Sequence, residues 1–233
     1  MNSSTLPSLK RKQRWANALA AVTGSVFCFL LASSASARTI TLTAEDADAM
    51  ASISAHAPRL SWAMGPPTTA GIFNTQPALY WESKIAVLLR IPVKDLIPKG
   101  QRITKAELTI GPTYISGTAN IQVRRLLADW GTGVCHTHRM TFPKKLEWTQ
   151  PGGLGGATDR AAKDSAIFKI TKVGDHTVDV TEDIELWYTG AVKNRGWIFT
   201  HDNNLGIVYV PSPYAPHAGG AKTWKLQITF EPK

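Results

Sequence analysis

Residues 224–230 read WKLQITF, and this stretch near the end of the 233-residue chain decides the fold. Apolar residues occupy every second position in it, and polar residues lie between them. Because the side chains of a strand alternate between its two faces, the pattern predicts a strand that buries one face. The residues predicted to face the core are Trp224, Leu226, Ile228 and Phe230.

The same two-residue period recurs along the chain, between turns rich in Gly and Pro. It predicts strands over Thr39–Thr43, Lys105–Ile110, Asn120–Arg125 and Thr177–Val180. A short apolar strand is also predicted over Ile207–Val210, between two turn-rich segments. Lys84–Val93, KIAVLLRIPV, is almost wholly apolar, and this predicts a strand buried on both faces. Short strands separated by such turns are typical of an all-β sandwich or barrel.

One short helix is predicted after the strand at residues 177–180. The Thr181 hydroxyl can accept a hydrogen bond from an unpaired N–H of the first turn. Ile184, Trp187 and Tyr188 recur at helical spacing and would form the buried face. Gly190 would end the helix.

The first 37 residues resemble a cleavable secretory signal. Four basic residues lie at positions 10–14, an apolar stretch covers residues 15–32, and Ala35 and Ala37 hold the small-residue positions before a cleavage site. A retained membrane anchor is the alternative, but polar residues interrupt the apolar stretch, so we expect no stable membrane span after cleavage. The sequence therefore predicts a signal peptide over 1–37, one domain over 38–233, and a secreted, periplasmic or cell-surface location.

Charge limits the class of partner. The whole chain has a formal charge of +9, and removing four basic residues with the signal leaves 22 basic and 17 acidic residues, a charge of +5. A modest basic excess suits an anionic polymer or a cell-envelope partner. No long basic run remains, so we expect no nucleic-acid partner. Cys135 is the only cysteine after cleavage, which excludes an intramolecular disulfide.

Several segments together resemble the DNRLRE (disaggregatase-related) domain family. They are LLRIPVKDLIPKGQRITKAELTI (Leu88–Ile110), VRRLLADWGTG (Val123–Gly133), WTQPGG (Trp148–Gly153), HTVDVTEDIELWYTGAVKNRGWIFT (His176–Thr200) and the final KLQITF. The resemblance implies a jelly-roll module of an exported protein, and polysaccharide binding. We therefore expect an all-β, jelly-roll-like two-sheet β-sandwich with one short helix.

Aromatic and basic residues in irregular segments are the candidate ligand-binding residues. An indole ring can cover the apolar C–H face of a sugar while its N–H donates a hydrogen bond. Trp187, Trp197 and Trp224 fall at positions expected in the core. Trp81 and Trp148 lie in or near irregular segments, and we predict that they form a glycan-binding face with Arg139 and Lys145.

Two metal sites are considered. Cys135, His136 and His138 carry ligands that suit Zn or Cu, and an extended backbone would project the two histidines to the same side. Asp159 and Asp202 are loop carboxylates that could hold a structural Ca²⁺. Neither set has the spacing of a recognised metal motif. Without a metal, Cys135 would be a buried, inert thiol, the two histidines would lie in a solvated basic loop, and the aspartates would belong to ordinary turns. We predict no cofactor, with a structural Ca²⁺ left open.

The function expected from these features is an exported, non-catalytic protein that binds a polysaccharide or cell-envelope glycan. No nucleophile elbow or His-Glu-x-x-His motif is present. A polysaccharide-degrading enzyme of the lyase type remains an alternative, because Tyr, His and Arg residues are available as a base and a charge neutraliser. A structural or adhesive extracellular matrix protein is the other alternative.

Overall fold

The alternating segments pair into antiparallel sheets in the computed structural model, which describes residues 36–43, 46–64, 78–81, 84–201, 206–211 and 224–233. The strands are β1 (Arg38–Thr43), β2 (Ala49–Ser54), β3 (Trp62–Met64), β4 (Ala78–Trp81), β5 (Ile85–Arg90), β6 (Gln101–Ile110), β7 (Tyr114–Ser116), β8 (Ala119–Arg125), β9 (His138–Met140), β10 (Leu146–Glu147), β11 (Ala166–Ile170), β12 (His176–Asp179), β13 (Trp197–His201), β14 (Ile207–Pro211) and β15 (Trp224–Pro232). The helices are α1 (Val93–Leu96) and α2 (Thr181–Thr189). The strands predicted from the two-residue period are confirmed.

One sheet has four strands in the order β1-β15-β6-β12. In β15 the four predicted inward residues are buried, and the residues between them are partly or fully exposed. Leu226 of β15 lies opposite Leu108 of β6 and Leu42 of β1, so one apolar row crosses three strands. Cross-strand apolar pairs of this kind are the units that stabilise a sheet.

The second sheet has six strands in the order β11-β8-β13-β5-β2-β3. Its β5 is buried on both faces, as the apolar run predicts: Val87 and Leu89 contact the main core, whereas Ala86 and Leu88 belong to a second apolar cluster. The inner faces of the two sheets share the main core, which confirms the all-β, two-sheet sandwich.

Aromatic side chains fill the space between the sheets. Trp187, Trp197 and Trp224 are buried, as predicted. The rings of Trp187 and Trp197 lie 4.5 Å apart, and Phe199 meets Trp224 edge-on at 5.3 Å. Such pairs add to the free energy gained by burying the rings, so these tryptophans stabilise the fold.

The second apolar cluster lies on the outer face of the six-stranded sheet. Ala51, Ile53, Ala86, Leu88 and Ile198 supply the sheet side. The long connection between β8 and β11, residues 126–165, supplies the other side. Its buried apolar members are Leu126, Trp130, Val134 and Trp148. The connection is therefore packed onto the sheet, and it forms the walls of the two clefts described below.

The predicted helix is present as α2, but its first turn differs from the expectation. The Thr181 hydroxyl accepts from the backbone N–H of Ala106 in β6 at 2.8 Å, so it does not cap its own helix. Asp179 Oδ1 instead accepts from the Thr181 N–H at 2.8 Å. Gly190 ends the helix with a φ of 78°, the left-handed conformation that glycine adopts at low cost. A further short helix, α1, forms in the segment after β5, where the apolar run predicted a strand as far as Val93.

Two smaller sheets complete the described structure, with strand orders β4-β14-β7 and β10-β9. No helix within the ranges given above is long and apolar enough to cross a bilayer. The predicted signal peptide lies almost wholly outside the described residues.

Candidate functional site

A cleft of about 390 Å³ lies where the long connection meets the outer face of the six-stranded sheet. We call it the first cleft. Its lining residues come from β2, β5, β8, β13 and the connection: Ile53, Ala55, Lys84, Ile85, Ala86, Gln122, His136, Gly152, Leu154, Arg160, Thr200 and His201. The volume lies within the range of small-molecule sites, about 300–1,000 Å³.

The register of the sheet builds the floor of this cleft. Gln122 pairs with Thr200, Thr200 with Ala86, and Ala86 with Ile53, so one row crosses β8, β13, β5 and β2. Their neighbours Val87, Ile121, Val123 and Phe199 point to the core between the sheets. Strand alternation therefore places an amide, a hydroxyl and two apolar side chains on the outer face.

Asp159 fixes the loop that forms the wall. Its side chain is 1% exposed, and its two carboxylate oxygens accept backbone N–H groups of Thr149, Gln150 and Gly155 at 2.9–3.1 Å. A Cβ at Gly155 would lie 2.6 Å from Asp159 Oδ2, so glycine is required for this approach. Three backbone N–H groups that donate to one carboxylate hold the loop closed against the sheet.

Arg160 carries the main charge of the first cleft. Its Nη1 donates to Thr200 Oγ1 at 3.2 Å, and its Nε is buried without a hydrogen-bond partner. Within the described ranges no carboxylate lies at ion-pair distance from it. Burial, and to a lesser degree the nearby Arg124, lowers its pKa from the ordinary value. Asp164 and Asp159 act through charge in the opposite direction, but neither forms an ion pair with Arg160, so the guanidinium is a half-buried cation without a paired carboxylate among the described residues.

The other lining residues add to this positive character. Lys84 is exposed at the edge of the cleft. Burial lowers the pKa of His136 below its ordinary 6.5, so its imidazole is neutral at neutral pH. No acidic residue is found among the described lining residues. Arg160 and Lys84 therefore give the cleft a net positive charge, which favours an anionic ligand.

A second cleft of about 690 Å³ lies on the other side of the same wall. Its lining residues come from the turn after β2, from residues 135–141 and from residues 145–151: Arg59, Cys135, Thr137, His138, Thr141, Lys145, Glu147, Trp148, Thr149 and Pro151. Arg59 and Lys145 are exposed cations at this cleft. Glu147 Oε1 lies 3.5 Å from His138 Nε2.

The structure does not show the four residues predicted to form a glycan-binding face together on one exposed surface, although Lys145 and Trp148 both line the second cleft. The expectation that Trp148 is exposed is wrong: it is 4% exposed, packs in the second apolar cluster, and donates its indole N–H to Cys135 O at 2.9 Å. Arg139 donates to the backbone carbonyls of Asp129 and Glu147 and lines neither cleft. Lys145 is exposed and lines the second cleft. Trp81 ends β4, and the surroundings of its side chain lie outside the described structure.

The predicted Zn or Cu ligands do not converge. His136 lines the first cleft, whereas Cys135 and His138 line the second. A bend at residues 136–137 breaks the extended conformation from which a shared side was expected. Cys135 is buried, and its Sγ lies 3.7 Å from His138 Nδ1. Across the described chain, no three Cys, His, Asp or Glu side chains lie close enough together to hold a metal ion.

The predicted Ca²⁺ ligands also differ from the expectation. Asp159 faces three backbone donors, and N–H groups present positive partial charge where a cation would have to sit. Its carboxylate therefore stabilises the loop and does not fit a Ca²⁺ site. Asp202 lies outside the described residues.

Sequence reasoning missed the residues that line the first cleft. Alternation in NIQVRR places Gln122 on the face opposite Ile121 and Val123, but it does not reveal that a connection 40 residues long covers that face. Arg160 lies in a segment, TDRAAKD, that reads as a solvated turn. Their meeting depends on strand register and loop packing, neither of which a single sequence specifies.

No protein-family model matches the chain, and no curated protein matches it in sequence. The resemblance to DNRLRE domains therefore stays a prediction. The clefts and their charge are the features of the molecule that bear on its function.

Proposed function

We propose that this chain is an exported, non-catalytic binding protein that recognises an acidic polysaccharide or cell-envelope glycan in the first cleft. The observation that carries the proposal is the Arg160 guanidinium, which has no ion-pair partner among the described residues and lies half-buried in a cleft without acidic residues among its described lining. Burying a cation without a counter-charge costs free energy. An anionic ligand would supply the missing charge, because a guanidinium matches the geometry of a carboxylate or a sulfate.

The remaining lining suits a sugar. Gln122 and Thr200 offer an amide and a hydroxyl on the floor, both of which can hydrogen-bond ring hydroxyls. Ile85 and Leu154, which are partly exposed, provide apolar surface for the C–H groups of the ring. A mostly pre-formed site with a few directed polar groups and apolar walls is the usual form of a small-ligand site.

Export is supported by the organisation of the N-terminus. The predicted signal ends at Ala37, and β1 begins at Arg38. Ala35–Lys233 forms one compact unit. The resemblance to an exported module family points in the same direction.

A lyase is the second candidate, because two histidines and an arginine line the same cleft. Elimination at a uronate needs a base to remove the proton next to the carboxylate and a cation to neutralise that carboxylate. His136 is neutral at neutral pH and could accept a proton, and Arg160 is the available cation. The non-catalytic proposal is preferred because the second histidine, His201, is only 7% exposed and so presents little of its ring to a leaving oxygen.

The test is retention of the exported protein on a panel of uronate-containing, sulfated and neutral polysaccharides, at low and moderate salt. Absorbance of unsaturated uronate is followed in the same samples. We expect retention on acidic members, loss of retention as salt rises, and no product. Product would establish the lyase, and absence of both retention and product would favour the structural or adhesive alternative.

A further inference from the structure

The first and second clefts share one wall, and this wall is a single layer of polypeptide. Within residues 135–137, His136 lines the first cleft, whereas Cys135 and Thr137 line the second. Within residues 148–152, Gly152 lines the first cleft and Pro151 the second. The two clefts are therefore immediate neighbours.

Hydrogen bonds make this wall rigid. The Gly152 N–H donates to His136 O at 2.6 Å, and the Trp148 N–H donates to Thr137 O at 3.4 Å. The Trp148 indole N–H adds a bond of 2.9 Å to Cys135 O. Gly152 has a φ of 82°, and a Cβ there would lie 3.1 Å from His136 Nε2, so a glycine lets the two segments approach. The clefts are thus held in a fixed relation, as neighbouring subsites for one ligand must be.

The second cleft, like the first, carries two basic side chains. Arg59 and Lys145 are exposed at the second cleft, and neither has an ion-pair partner among the described residues. Glu147 is the one acidic residue of its described lining, and it lies beside His138. Each cleft therefore presents two basic side chains to a ligand.

We infer that the two clefts are adjacent subsites for one anionic polymer, with acidic groups on nearby units meeting Arg160 and Lys84 in the first cleft and Arg59 and Lys145 in the second. The inference rests on the proposed function and extends it, since it assigns the ligand to polymers with repeated negative charge. Linking two weak contacts through one chain makes the second contact intramolecular, so affinity rises with ligand length until both subsites are filled.

The test measures binding of a length series of oligogalacturonates, with a sulfated oligosaccharide series in parallel, to the exported protein. The double variant Arg59→Ser, Lys145→Ser removes the charges of the second cleft. A matched control, Lys99→Ser, Lys172→Ser, removes the same charge from exposed positions outside both clefts. Arg160→Gln tests the first cleft.

For the series that binds, affinity should rise with length in the wild type and in the control. The Arg59, Lys145 variant should bind the shortest ligand as the wild type does and the longest about tenfold more weakly, as expected for two exposed charge contacts. Equal affinity of this variant and the control at every length would overturn the two-subsite inference and leave the first cleft in place. Unchanged binding by Arg160→Gln, or no binding of either series, would overturn the proposed function and the inference with it.

Discussion

Replacing Arg160 by Gln should weaken ligand binding strongly and leave the stability of the fold nearly unchanged. Losing a hydrogen bond between a ligand and a charged group costs about 2–3 kcal/mol of binding free energy. The affinity for the acidic glycan should therefore fall roughly 30- to 150-fold. In the free protein the guanidinium makes a single hydrogen bond to another described side chain, Thr200 Oγ1 at 3.2 Å. Losing this bond lowers the free energy of unfolding by about 1 kcal/mol. Removing a half-buried charge that has no paired carboxylate raises the free energy of unfolding, and this offsets the loss.

Two measurements on the same samples separate these effects. Calorimetric titration gives the affinity, and urea unfolding gives the free energy of unfolding, which should stay within about 1 kcal/mol of the wild type. Arg124→Gln is the matched control, because Arg124 lies in the adjacent β8 and forms a partly buried ion pair with Asp164. This control should lose about 1–3 kcal/mol of stability and keep its affinity within about threefold.

The reasoning is refuted if Arg160→Gln binds the acidic glycan within about threefold of the wild type. It is also refuted if the variant loses more than about 3 kcal/mol of stability, because Arg160 would then be a structural residue. A large loss of affinity at constant stability is the pattern expected of a residue held in place for binding.

Three further predictions concern the scaffold around the clefts. Trp148→Ala should lower the free energy of unfolding by about 3–5 kcal/mol, because it leaves a cavity in the second apolar cluster and removes the hydrogen bond to Cys135 O. Chemical unfolding measures this change. A variant as stable as Lys145→Ala would contradict the burial of Trp148. Asp159→Asn should cost about 2–3 kcal/mol and speed hydrogen exchange of the Thr149, Gln150 and Gly155 amides, whereas unchanged protection would show that the carboxylate does not hold the loop. Burial raises the pKa of Asp183, although its carboxylate accepts a hydrogen bond from Trp197 Nε1. The folded state therefore binds a proton here more readily than the unfolded chain does. As a result, the contribution of Asp183 to the free energy of unfolding declines as the pH rises above about 4. The free energy of unfolding of Asp183→Asn should therefore rise relative to that of the wild type as the pH increases above about 4, by at most about 1.4 kcal/mol per pH unit. The measurement is unfolding as a function of pH. If this difference instead falls with pH, the ion pair of Asp183 with Arg125 outweighs burial.

The fold was predictable from the sequence because its strands bury one face each. In WKLQITF every second side chain is apolar, and burial in β15 follows that pattern residue by residue. The run around Leu88 was also informative, since an apolar strand without alternation must be covered on both sides, and β5 is. Gly190 marked the end of α2 because a left-handed residue is needed there.

The clefts were not predictable for reasons that are also physical. Whether Trp148 is exposed depends on how residues 126–165 lie on the sheet, and that depends on the Asp159 bonds to three backbone groups ten or fewer residues away. The direction of His136 depends on a bend that local composition does not reveal. Thr181 shows the same limit on a smaller scale, since its hydroxyl bonds a strand 75 residues away in place of its own helix.

A crystal structure of residues 38–233 with the acidic oligosaccharide that binds best would show directly where the ligand lies. We expect the ligand in the first cleft, with a carboxylate or sulfate oxygen within hydrogen-bond distance of the Arg160 guanidinium and ring hydroxyls near Gln122 and Thr200. A ligand bound elsewhere on the surface, with the first cleft empty and Arg160 unchanged, would contradict this expectation.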